Sequence, residues 1–361
     1  MKRLLVTGGA GFIGSNFVRH ILKCDEEVHI VNLDALTYAG SLENLRDLQS
    51  PQRHTFVEGD ICDFSLLTDL LREHRIDTIV HFAAETHVDR SILGPAPFIR
   101  SNIEGTFRLL EAARQVWLEE RMHPVHAVRF HHISTDEVYG SLGQTDPPFS
   151  ESSPYLPNSP NAASKAASDH LVRAYANTYG LPVTISNSSN NYGPHQFPEK
   201  LIPLMILNAL HGSQLPVYGD GLHVRDWLHV EDHCEAICLV LAKGQPGVTY
   251  NIGGEDQTTN LDVVRLVCSI LDRRVSDSPH VPHDRFISFV PDRPGHDRRY
   301  AMDIGKIRHE LGWAPRETLE SGLSKTVEWY VNNPEWISAI ERRPSYRDWL
   351  EENYAIRGVE Q

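Results

Sequence analysis

The chain has 361 residues, 40% of them hydrophobic and 23% charged, with a formal net charge of −14. That is enough apolar material for one large domain or two ordinary ones, while the acidic excess repels phosphate backbones and argues against nucleic-acid partners. No apolar run approaches the roughly 20 residues that span a bilayer, and the basic pair opening MKRLLVTGG precedes no secretory core, so a cytoplasmic protein without a membrane partner is expected.

In chain order, RLLVTG reads as a strand, followed by a helix from about Phe12, the strand EVHIVNLD, a helix near Leu42, the strand HTFVEGD, a helix near Leu66 and the strand DTIVHFAAE. A long helix over about 97–120, the strand VRFHHIST, a helix over about 162–179 and the strand LPVTISNSS follow. Repeated strand–helix–strand alternation predicts an α/β fold with a doubly wound parallel sheet covered on both faces. Beyond about residue 194, PHQFPEKLIPL, PVYGDG and RDWLHVED bring more proline and aromatics and predict shorter elements. Residues 1–194 are therefore expected to form mainly the sheet domain and 195–361 mainly a smaller lobe, with re-entry into the sheet near 247–253. RRPSYRDWLEENYAIRGVEQ reads as a peripheral helix and tail.

VTGGAGFIG sets Gly8, Gly11 and Gly14 three apart between the first strand and the first helix. Glycines there permit a tight turn and let the backbone approach a pyrophosphate, whose charge sits at the helix N-terminus. Asp34 lies twenty residues beyond Gly14 at the end of the second strand, where an acid bonds the ribose hydroxyls and repels a 2′-phosphate, predicting NAD over NADP. Asp60 and Ile61 after the third strand are candidates for the adenine.

TGGAGFIG, LDALTYAG, GDICD, HFAAETHVDRSI, FHHISTDEVYG, SNNYGPHQFPEKLIPL, RDWLHVEDH, YNIGG and DRPGHDRRYAMD, in this order along nearly the whole chain, together resemble the dTDP-glucose 4,6-dehydratases among the extended short-chain dehydrogenase/reductases. The resemblance implies a Rossmann-type NAD domain with a nucleotide-sugar-binding lobe, retained NAD, and dTDP-glucose as substrate. It implies oxidation at sugar C4, loss of water across C5 and C6, hydride return to C6, and a homodimer pairing the helices at 97–120 and 162–179. It makes Asp136 the acid, Glu137 the base, and Thr135 a partner of the sugar near C4; two carboxyl groups in differing environments can divide acid and base roles.

Lys165 matches the lysine of the superfamily's Tyr-x-x-x-Lys pair, four residues after Asn161 on one helical face. The expected tyrosine is Asn161, whose amide cannot serve as a general base near neutral pH, so a slowed oxidation is predicted. Glu137, a water held by Asn161, or Tyr300 are alternative proton acceptors; Tyr155 lies off the lysine's face.

By the same resemblance the cofactor lies along Phe12, Ile13, Ala35, Leu36, Thr37, Phe82, Ala83, Ala84, Glu85, Ser101 and Asn191. The substrate meets Thr86, Asn190, Glu199 and Leu201, with Lys200 and Arg225 supplying charge for a diphosphate. Pro216, Val217 and Tyr218 receive the thymine, and Asn260 with Asp292, Arg293, Pro294, Gly295 and His296 closes over the nucleotide.

No metal is expected: His131 and His132 are neighbours on a strand and face opposite ways, and His229 and His233 lack a nearby third ligand. Cys234 and Cys238 read as a buried helical face, and five cysteines argue against a disulfide framework. A non-catalytic NAD and sugar-nucleotide binding protein, and a related epimerase or dehydratase acting on another nucleotide sugar, are the competing readings.

Overall fold

The computed structural model describes residues 2–355; the tail expected at the C-terminus lies partly outside them. Strand β1 (Arg3–Thr7) leads through the glycine turn into helix α1 (Phe12–Cys24), then β2 (His29–Asp34), β3 (His54–Glu58), α2 (Phe64–Glu73) and β4 (Thr78–His81). The stretch near Leu42 is a single 3-10 turn, Leu42–Leu45, because Pro51 and the left-handed Ser50 close off the segment before a helix can propagate. After α3 (Val88–Leu93), the expected long helix runs from α4 (Ala96–Phe98) through α5 (Thr106–Ala113), with π-helical turns at Ile99–Gly105 and Arg114–Glu119. Strand β5 (Arg129–Thr135), helix α6 (Pro160–Tyr179) and strand β6 (Val183–Ser188) complete the first half.

The second half contains β7 (Asn190–Tyr192), α7 (Leu201–His211), β8 (Leu215–Tyr218), β9 (Val224–His229), α8 (Val230–Lys243), β10 (Thr249–Ile252), β11 (Gln257–Thr259), α9 (Asn260–Arg274), β12 (Ile287–Val290), α10 (Gly305–Leu311), α11 (Leu319–Asn332), α12 (Pro334–Glu341) and α13 (Pro344–Ala355). The strands here are shorter on the whole than those before them, as expected, while the helices are as long: proline sits at helix entries, as in α12 and α13, where a missing N–H costs nothing.

Seven parallel strands form the main sheet in the order β10-β6-β5-β4-β1-β2-β3. Strand order reverses between β1 and β4, and the crevice beyond the carboxyl ends of these strands is where doubly wound sheets bind ligands. Helix α8 packs on the β1 side against α1, with Cys234, Ile237 and Leu241 beside Phe17, Val18 and Ile21. Together with β10, the sheet's return strand at Thr249–Ile252, it belongs to the layers around the main sheet. A second core joins α7, α9, α11 and α12 around Met205, Val264, Val327 and Trp336, and β9 lies between β11 and β7 in a small sheet beside it. Among the described residues no helix is long and apolar enough to cross a membrane.

Candidate active site

A cavity of about 780 Å³ lies along the carboxyl edge of the sheet, inside the ~300–1,000 Å³ range of small-molecule sites. Gly8, Gly11 and Gly14 form its floor with Phe12, Ile13, Asp34, Ala35 and Thr37. A Cβ on Gly8 would sit 2.6 Å from Ala83 N, and one on Gly14 would sit 2.3 Å from Gly8 O; only bare backbone fits this close turn. Asp34 is buried and its two oxygens accept N–H bonds from Ala10 (2.8 Å) and Leu36 (2.8 Å), which locks the carboxylate over the turn; burial raises its pKa. Leu36, in a left-handed conformation, contributes that N–H and does not line the cavity. This cradle, an open glycine turn under a fixed acid, suits an adenine dinucleotide.

Asp60, Ile61, Phe82, Ala83, Ala84, Glu85, Thr86 and Ser101 continue the wall. Asp60 pairs with Arg100 (2.7 Å), and the Asn102 side chain holds both Glu85 N (2.9 Å) and Glu85 O (3.0 Å).

The sugar end gathers Thr135, Asp136, Glu137, Asn161, Lys165, Asn190, Asn191, Glu199, Lys200 and Leu201. Strand β5 ends at Thr135, whose hydroxyl accepts from Glu137 N (3.3 Å) and starts a 3-10 turn carrying the acid pair. Asp136 is 1% exposed; burial, then Glu137 and Asp226, push its carboxyl well above the ordinary range, against Arg225 and Thr135. Ser159 caps α6 and Pro160 occupies its first turn, fixing Asn161 so that its Nδ2 donates to Glu137 Oε2 at 2.9 Å. The Asn161 Oδ1 is buried without a partner.

One turn on, Lys165 donates to Ile133 O (2.7 Å) and lies 3.5 Å from His132 Nε2. Burial pulls its pKa down to about 8, opposed by Asp169. Lys200 reaches Thr86 O (3.0 Å). Glu199 is clamped by Arg90 (3.0 Å), whose guanidinium lies between the rings of Tyr38 (3.9 Å) and Trp349 (4.1 Å). Asn191 is tied to His233 Nδ1 (2.9 Å), and Asn190 Oδ1 is buried without a partner.

The remaining expected residues lie outside this cavity. Pro216 and Val217 are buried in β8, Val217 in the second core, because all but the last position of that strand packs inward; their side chains are not available to a base. Tyr218 donates to Asp89 (3.4 Å), and Arg293 lies 3.8 Å from the same carboxylate. Arg225 donates to Asp297 O (2.9 Å) and stacks over the Tyr300 ring at 4.4 Å; its charge still bears on Asp136 and Glu137. Tyr300 donates to Asp297 (2.5 Å) and is buried, so its hydroxyl is no free proton acceptor; Tyr155 is likewise committed to Asp169 (2.7 Å). Asn260 Oδ1 is buried and unpartnered at the start of α9. The 292–296 turn, with Pro294 and the left-handed Gly295, brings His296 within 2.6 Å of Asp292.

His223, Asp292 and His296 set one ligand atom each within 4.8 Å of one another, a grouping the sequence does not announce. The two imidazoles stack at 3.7 Å and 12°; their lone pairs lie in two separate, nearly parallel planes and so do not meet at one ion. Sequence reasoning also missed Tyr38, Arg90, Gln196 and Phe197 in the cavity wall or its support. Tyr38 and Arg90 lie inside LDALTYAG and HVDRSI, yet only the fold shows the ring–guanidinium stack.

The chain matches the family described as GDP-mannose 4,6 dehydratase over residues 5–326. It is 52% identical to dTDP-glucose 4,6-dehydratase of Salmonella typhimurium, over 98% of this chain and 99% of the relative, and 55% identical to that of Neisseria meningitidis serogroup B, over 93% and 95%. Among solved structures, the dTDP-glucose 4,6-dehydratase from Bacillus anthracis in complex with NAD aligns with a TM-score of 0.83 at 46% identity, covering 94% of this chain and all of that one (100%). The UDP-glucose 4-epimerase from Thermotoga maritima, with UDP-glucose, aligns with a TM-score of 0.80 at 29% identity, covering 92% and 99%.

Proposed function

The chain belongs to the dTDP-glucose 4,6-dehydratase family, and from that premise we propose that it converts dTDP-glucose to dTDP-4-keto-6-deoxyglucose, with the first step slowed by Asn161. It is an NAD-dependent lyase on an oxidoreductase fold. The observation that carries the reading is the Asp136–Glu137 pair at the end of β5, opening into the cavity floored by the glycine turn. An epimerase working at C4 needs no water elimination and so no such pair.

Bound NAD would supply the acceptor for a hydride from sugar C4 and its later donor to C6. Gly8, Gly11 and Gly14 would hold its pyrophosphate against the open turn, and Asp34 would meet the ribose hydroxyls. Asp136, whose burial favours its protonated form, donates to the departing C6 hydroxyl, while Glu137 takes the C5 proton. Lys165 places its amine beside the nicotinamide end of the cavity. Asn161 holds Glu137 in place but cannot accept the C4 hydroxyl proton, which removes a general base worth roughly 10²–10⁴-fold in rate.

Lys200, Arg225 and Arg293 supply the positive charge that a diphosphate needs in an acidic protein. Tyr218 and Asn260 offer a ring and an amide to the base beyond it. Exposed Ile99, Phe107 and Tyr179, on the helices at 96–119 and 160–179, support a homodimer through those helices. Five free cysteines suit the reducing cytoplasm.

The test is incubation with dTDP-glucose and mass analysis of the sugar nucleotide. Loss of one water, by this protein or more quickly by Asn161→Tyr, is expected. Recovery of unchanged dTDP-glucose from both would instead favour the binding-protein reading, which Asn161 is the one feature to support.

A further inference from the structure

Among the described residues the cavity holds no free tyrosine at its sugar end, Tyr38 being bonded to Glu199, so the oxygens and nitrogens that could take the C4 hydroxyl proton can be compared one by one. Lys165 is spent on Ile133 O, Glu199 on Arg90, Tyr300 on Asp297 and Tyr155 on Asp169. Glu137 accepts from Asn161 at Oε2, and in the dehydratase reading its carboxylate is reserved for the C5 proton. Thr135 remains: its Oγ1 accepts from Glu137 N (3.3 Å) and donates to Asp136 Oδ1 (3.2 Å), leaving one lone pair for a hydroxyl donor. The second oxygen of Asp136, Oδ2, is buried with no partner.

We propose, resting on the dehydratase reading, that Thr135 and Asp136 form the proton route of the first step, so that Asp136 is base to the C4 hydroxyl and then acid to the C6 hydroxyl. As the C4–H bond breaks and its electron pair leaves with the hydride to NAD, the C4 hydroxyl proton passes to Thr135 Oγ1. Thr135 passes its own proton to Asp136, and the C4 carbonyl forms. Glu137 then takes the C5 proton, the freed pair becomes the C5–C6 double bond, and the C6–O bond breaks. Asp136 gives the departing oxygen the proton it has just received, which releases water. The hydride returns to C6 and Glu137 returns its proton to C5.

Both carboxylates end as they began, and the cycle needs no net proton from solvent. A separate base at C4 would finish each cycle protonated with Asp136 deprotonated, and would need a resetting transfer between them. The groups bearing on Asp136 are Glu137 beside it and Asp226 and Arg225 from β9; burial and the two acids raise its pKa. Burial and the two acids disfavour its ionised form, which grows with pH, so the first step accelerates as pH rises.

The experiment is single-turnover reduction of bound nicotinamide by dTDP-glucose, followed by absorbance, in the parent, Asp136→Asn, Asn161→Tyr and the double variant. Asp136→Asn should lose roughly 10²-fold or more of the reduction rate in the parent, yet keep reduction in the Asn161→Tyr background, where the tyrosine takes the proton and only water loss stops. Thr135→Val should slow reduction and Thr135→Ser restore it. Two further readouts do not depend on turnover: calorimetric binding of dTDP-glucose should survive in Asp136→Asn, and the infrared carboxylic-acid band absent from that variant should fade with pH as reduction accelerates. Parent-like reduction in Asp136→Asn would overturn the route, as would loss of binding or loss of reduction in both backgrounds. No reduction in any form, with Asn161→Tyr included, would overturn the dehydratase reading itself and this route with it.

Discussion

Replacing Gly8 by alanine puts the glycine turn to its sharpest test. Gly8 has φ +72°, a region that costs a residue with a Cβ roughly 1–2 kcal/mol. Its neighbours cannot step aside cheaply: the new Cβ would meet Ala83 N at 2.6 Å, Ala83 Cα at 2.7 Å and Phe82 C at 2.9 Å, all backbone. Gly8 is itself pinned by Gly8 N to Leu33 O (2.8 Å) and by Gly11 N to Gly8 O (3.1 Å). Adding an overpacking cost of ~1–3 kcal/mol, the strain comes to about 2–5 kcal/mol in total. It falls where the turn and the Phe82–Ala83 segment line the cofactor cleft, so NAD affinity should drop by at least about tenfold, the equivalent of ~1.4 kcal/mol, and Tm without NAD should fall by several degrees. Titration calorimetry and scanning calorimetry measure the two. Gly94→Ala is the control, since nothing lies within 4 Å of its would-be Cβ. If Gly8→Ala matched Gly94→Ala in both assays, the close-approach reasoning would be wrong.

Acid should unfold the protein through its buried histidines. Burial lowers His131 to about 3, His132 to about 4 and His233 to about 3; the unfolded chain takes up these protons near pH 6.5, so stability is full above that pH and falls below it, by about 2 kcal/mol per group at pH 5. His131→Gln should reduce the slope of Tm between pH 7 and 5 by one proton's share; an unchanged slope would remove His131 from the account. Asp34→Ser should shift the cofactor preference toward NADP by about tenfold or more in measured affinities, while weakening NAD because Ala10 N and Leu36 N lose their acceptor. Phe107→Glu should convert a dimer to monomers in light scattering, and a parent already monomeric would refute the proposed pairing.

The parallel sheet was legible because its strands are short, β-branched and separated by helical periodicity, and the glycine turn because φ and close approach leave few residue choices. The breaks in the 96–119 helix were not, since π turns leave no compositional mark on IRSNIEG or RQVWLE. The second half was legible in part: its short strands and the return to the main sheet at β10 could be read, but its prolines signal breaks in sequence, whereas Pro334 and Pro344 sit at helix entries. In the site, STDEV and the Asn161–Lys165 spacing could be read directly, because a fixed interval on a helix or turn determines which side chains meet. Arg90 could not: its position depends on Tyr38, Trp349 and Glu199 arriving from three other parts of the chain. The burial of the Pro216 and Val217 side chains follows from the pairing of β8 with β12, a tertiary fact with no local signal.

The most direct measurement is the steady-state rate at which this protein and Asn161→Tyr convert dTDP-glucose to the 4-keto-6-deoxy product, across a pH series. Slow conversion by this protein, accelerating with pH, and a gain of about 10²-fold or more from the tyrosine are predicted. Fast conversion by this protein with no gain from the tyrosine would contradict the claim that Asn161 limits the first step.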